Sequence, residues 1–69
     1  MTVPARFPQV DEAVHRYGRR WRIATLILLP RTVILVDEHG VQERIEPAEW
    51  GRAAWDPVGR FWWFPEEAA

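Results

Sequence analysis

Nine arginines, ten carboxylates and two histidines are the groups with which this 69-residue chain could do ionic or proton chemistry. Their spacing narrows that chemistry sharply. The chain contains no Ser, Cys or Lys, so three common covalent nucleophiles are missing. Without cysteine it has neither a disulfide nor a cysteine-bearing zinc site. His15 and His39 form neither an H-x-x-x-H nor an H-E-x-x-H spacing, so no metal centre is expected. Glu43, Glu46 and Glu49 are the one carboxylate cluster available for acid–base work, and they read as a solvent face. Gly18, Gly40, Gly51 and Gly59 each stand alone, so no Gly-rich phosphate loop exists. The chain therefore reads as a non-enzymatic protein with no cofactor and no small-molecule substrate.

Binding chemistry is better represented. Between His15 and Arg22 the sequence interleaves Arg16, Arg19, Arg20 and Arg22 with Tyr17 and Trp21. Arginines along a groove with aromatic stacking platforms suit single-stranded nucleic acid. The competing reading turns Tyr17 and Trp21 into the core and lays the arginines over acidic residues elsewhere. Charge is uneven enough for that. Residues 1–31 hold six Arg against Asp11 and Glu12, whereas residues 32–69 hold three Arg against eight carboxylates. The net charge of −1 argues against a general polyanion binder. Every cation is an arginine, which follows from a genome rich in G and C or from selection for planar guanidinium recognition.

Five tryptophans, three phenylalanines and one tyrosine are a large aromatic load for 8.2 kDa. Each indole offers about 150–250 Å² for burial. A core this small is not expected to absorb all of them, and exposed aromatic surface marks binding sites. Trp62 and Trp63 are consecutive on a candidate strand, so their rings must point to opposite faces. Trp21 opens an apolar run and is expected inside. The expected protein-binding surface combines Trp50, Trp55 and Trp63 with Arg60, since Trp, Tyr and Arg dominate interface hot spots. The leading expectation is thus a small interaction or regulatory protein that binds another protein. The alternatives are a nucleic-acid module using Arg16, Arg19, Arg20 and Arg22, or a homodimer whose aromatic surface is the subunit interface.

These residues need a scaffold. Residues 1–69 form one small domain, with an extended arm over 1–8 anchored by Phe7 and a frayed tail over 65–69. Val10, Ala13, Val14 and Tyr17 fall at i, i+3, i+4 and i+7, with acids early, Arg16 late and Gly18 following. That pattern predicts a short helix from Gln9 to Tyr17. Trp21–Leu29 and Thr32–Val36 predict a hairpin across Pro30-Arg31. Val41–Glu46 predicts a third strand after the Asp37–Gly40 turn. Pro47–Trp50 suits a single helical turn. Arg52–Trp55 and Arg60–Phe64 predict a last pair of strands around the Asp56–Gly59 turn.

The fold class expected is α+β, mainly β: a short N-terminal helix packed on a curled antiparallel meander of four or five strands. SH3-like open barrels are similar in general architecture. The apolar run Ile23–Val36 is broken by Pro30-Arg31 and falls short of the about 20 residues that cross a bilayer. No secretion signal is read at the N-terminus, so a cytoplasmic location is expected.

Overall fold

Trp21 and Ile23 alternate with polar residues along one segment, and Val33 and Leu35 alternate along the next. A period of two puts each set on one face of a sheet. The computed structural model describes residues 7–67 and contains one mostly β unit. Its elements are β1 (Ala13–Arg16), β2 (Arg19–Leu28), β3 (Arg31–Val36), β4 (Gln42–Ile45), α1 (Pro47–Trp50), β5 (Ala54–Asp56) and β6 (Phe61–Trp63), then a 3₁₀ turn at Pro65–Glu67. Strand order is β4-β3-β2-β1-β6-β5.

Two expectations are corrected. The segment read as an N-terminal helix is a tight turn followed by β1. Glu12 N–H donates to Gln9 C=O at 3.2 Å, and Asp11 takes a φ of 75°, as the third residue of such a turn can. β1 then pairs antiparallel with β2, placing Arg16 opposite Arg19. The two residues between them, Tyr17 and Gly18, have φ of 55° and 69°. That is the signature of a two-residue hairpin turn. Gly18 thus serves a hairpin and not a helix end. The helical spacing of Val10, Ala13, Val14 and Tyr17 lost to pairing because β2 offers a long apolar partner, and Val14 buries completely against it.

The second correction concerns topology. The sheet is not an antiparallel meander, and it is not closed into a barrel. It has six strands, and β1 runs parallel to β6, with Ala13 opposite Phe61 and His15 opposite Trp63. After β4 at one edge, the chain crosses through α1 to β5 at the other edge. A parallel neighbour demands such a crossover. This crossing covers one sheet face and carries Trp50 onto it.

Val14, Trp21, Ile23, Val33, Leu35, Ile45, Trp62 and Phe64 form the core on that face. Leu26, Trp50, Ala53 and Trp55 pack against it, half-buried. Each large side chain fully buried is worth about 1.5–3 kcal/mol before entropy is subtracted. A register shift between Ile23 and Thr25 bends β2, so its second half pairs with β3 and reaches past β1. The hairpin end at Leu28-Leu29 stands out in solvent, 70% and 92% exposed.

The part of the expected arm before Phe7 lies outside the described residues, as do residues 68 and 69 of the tail. At Glu67 the tail is tied down: its carboxylate accepts from Tyr17 N–H at 2.8 Å and lies 3.7 Å from Arg16 Nε. Among the described residues no helix is long and apolar enough to cross a membrane.

Candidate functional site

The pairing β2·β3, the α1 crossover and β5 leave a groove on the covered face that no described residue fills. Leu26 and Leu28 come from β2, and Val33 sits beside them on β3. Trp50 arrives from α1 and Trp55 from β5. The groove encloses about 660 Å³. Its floor is the buried Trp62 ring, with Trp50 tilted over it at 5.0 Å and Trp55 at 5.2 Å between centroids. Tilted rings at such distances gain about 0.5–1.5 kcal/mol beyond the area they bury. Trp50 also meets Phe64 edge-on at 6.0 Å. The indoles are therefore held by the core, while their outer parts line the groove.

Local sequence explains this placement. Pro47 starts α1, where its missing N–H costs nothing. Trp50 and Gly51 N–H donate to Glu46 and Pro47 C=O at 2.9 and 3.0 Å, which closes the single turn. Ala53 N–H then donates to Trp50 C=O, and β5 begins. Small residues at Gly51, Ala53 and Ala54 keep this wall thin, so no described residue fills the gap.

Among the described residues one charged side chain lines the groove. Arg31 is exposed, and its guanidinium rests 4.4 Å from the centroid of the Phe7 ring. It forms no ion pair with a described residue. No carboxylate is among the described lining residues. Thr32 is also polar, and its hydroxyl donates to Pro30 C=O at 3.0 Å, inside the protein.

The four residues expected to bind protein thus separate. Trp50 and Trp55 meet in the groove. Trp63 is half-buried on the opposite face, in a shallow hollow with Phe61 and His15, whose rings stack at 4.1 Å. Arg60 sits in the turn before β6 with a φ of 59°, outside the groove. Residue types alone missed Leu26, Leu28 and Arg31. The signal available was the apolar doublet Leu28-Leu29 beside the Pro30-Arg31 turn, which no core could hold on both faces.

The basic segment is largely spent on internal pairing. Arg16 is buried and ion-paired with Glu49, and its guanidinium lies 4.2 Å from the Phe64 ring centroid. Burial alone would lower its pKa, but Tyr17 and Glu49 outweigh that, and it is raised. Two of its nitrogens, Nε and Nη1, have no hydrogen-bond partner among the described residues. Arg19 lies 3.3 Å from Asp37 and covers Trp21 at 4.4 Å. Arg22 pairs with Asp11 at 2.9 Å. Among the four, Arg20 alone forms no ion pair with a described residue.

Asp37 shows how the turns are held. Its carboxylate accepts from His39 and Val41 N–H, both at 2.9 Å. Burial pushes its carboxyl pKa up, but those two donors and Arg19 prevail and hold it below the ordinary value. Among the described residues, no group of three His, Asp or Glu side chains gathers to hold a metal ion. No protein family, no curated protein and no solved structure matches this chain.

Proposed function

We propose that this protein is a small interaction domain whose groove takes an apolar segment of a partner protein. The observation that carries this reading is a solvent-open groove of about 660 Å³ walled by Leu26, Leu28, Trp50 and Trp55, which the described residues leave unfilled. Trp-lined pockets surrounded by apolar rims are where interface energy concentrates. The volume would also suit a small molecule, but such sites place several convergent polar groups. Here, among the described lining residues, Arg31, an internally bonded Thr32 and the indole N–H groups are the polar side-chain groups. A nucleic acid is less well supported, because Arg16, Arg19 and Arg22 already have carboxylate partners.

Two matched variants test the reading. Leu28 lines the groove and Leu29 does not, yet both are exposed. Peptides selected on the immobilised protein from a displayed random library should lose binding to Leu28→Asp and keep binding to Leu29→Asp. Both variants should melt as the parent does. Equal loss in both, or in neither, overturns the assignment of the groove. Light scattering that shows a dimer dissolved by Leu28→Asp would replace it with self-association.

A further inference from the structure

We infer that the groove selects a partner segment in which a carboxylate lies beside apolar side chains, and that Arg31 is the residue that reads it. This rests on the protein-binding reading of the groove and adds the chemistry of what enters. Among the described residues the lining is apolar apart from the indole N–H groups, Arg31 and Thr32, and Thr32 is buried with its hydroxyl engaged. Arg31 is the single ionisable group among the described lining residues. Of the arginines whose surroundings are described, most are matched within the fold: Arg16 with Glu49, Arg19 with Asp37, Arg22 with Asp11, Arg44 with Glu46 and Arg52 with Glu66. Arg31 has no such match.

One contact nevertheless positions it: the guanidinium carbon lies 4.4 Å from the centroid of the Phe7 ring. A cation–π contact of this kind leaves guanidinium N–H groups available for a paired contact with a carboxylate. An apolar segment that enters the groove with a carboxylate at the Arg31 end satisfies both the surface and the charge. A segment with a cation there meets repulsion, and one without charge leaves Arg31 partly desolvated and unpaired. The groove accordingly distinguishes acidic–apolar segments from purely apolar ones.

The test uses peptides selected from the displayed library, resynthesised as pairs that differ by Glu against Gln at the acidic position. On the parent protein the Glu form should bind roughly tenfold tighter, the worth of one charge-assisted contact. On Arg31→Gln the two forms should bind alike. On Arg20→Gln, which removes an exposed arginine outside the groove, the preference should persist. If the selected peptides depend on Leu28 but show the same Glu/Gln ratio on the parent and on Arg31→Gln, the inference falls and the groove stands. If no peptide depends on Leu28, both fall.

Discussion

At the scale of single residues, charge in this protein is mostly paired within the fold. The Asp37 side chain is 3% exposed, accepts two backbone N–H groups and faces Arg19 at 3.3 Å. Its folded pKa is held below the unfolded one, so the carboxylate form is favoured by folding. The stability it contributes is present above the ordinary carboxylate range and lost as pH falls through the folded value. Urea unfolding followed across the acid range should show a steeper loss of stability for the parent than for Asp37→Asn. Parallel curves would mean that the turn holds without the charge. Arg16 resembles Asp37 in being buried and paired, and for the same reason neither is free to meet a partner. The arginine cluster between Arg16 and Arg22 looked like a surface when read as sequence, because a sequence shows the cations but not the carboxylates that fold back onto them. Glu49 and Glu67 reach Arg16 from distant positions, and no local spacing announces that.

At the scale of elements, turn chemistry decided what periodicity left open. Gly18 belongs to a turn with two positive φ values, and a Cβ there would meet open space, so any penalty is conformational. Gly18→Val should cost about 1–2 kcal/mol, the left-handed penalty for a residue with a Cβ. Gly51 has helical φ of −59°, and a Cβ there would meet Ala48 and Pro47 oxygens at 3.5 and 3.6 Å, ordinary contacts. Gly51→Ala should therefore stabilise by about 0.4–1 kcal/mol through the unfolded chain. Equal effects of the two substitutions, read from denaturant midpoints, would contradict this assignment of the turns. The same comparison shows what was legible. The β2–β3 hairpin, β4, the single turn at Pro47–Trp50 and the β5–β6 pair follow from β-branched runs and from D-x-x-G and Pro signals. The first strand did not, because Ala13–Arg16 is short and its neighbours at Val10 and Tyr17 complete a helical period by coincidence. The parallel pairing of β1 with β6 was invisible for another reason. It is set by the path of the crossover, and that depends on Trp50 finding Trp62 and Phe64.

At the scale of the whole molecule, one sheet face is covered by a crossover too short to cover it fully. The core closes around Trp62 and Phe64, and the hairpin end beyond Thr25 is left with Leu26 and Leu28 facing a gap. The five tryptophans then have distinct parts. Trp21 and Trp62 are core, Trp50 and Trp55 form a supported wall, and Trp63 lies on the other face. The pair Trp50–Trp55 was within reach of the sequence, since both flank the acidic crossover. The grouping of Trp63 and Arg60 with them was not, because strand alternation sends Trp63 away from Trp62. On the proposed reading, partners enter between Trp50 and Trp55. NMR of the five indole Nε1–H signals, followed while a library-selected acidic–apolar peptide is added, tests this. The Trp50 and Trp55 signals should shift with saturation while the Trp63 signal stays in place. Movement of Trp63 with Trp50 and Trp55 unchanged would contradict it.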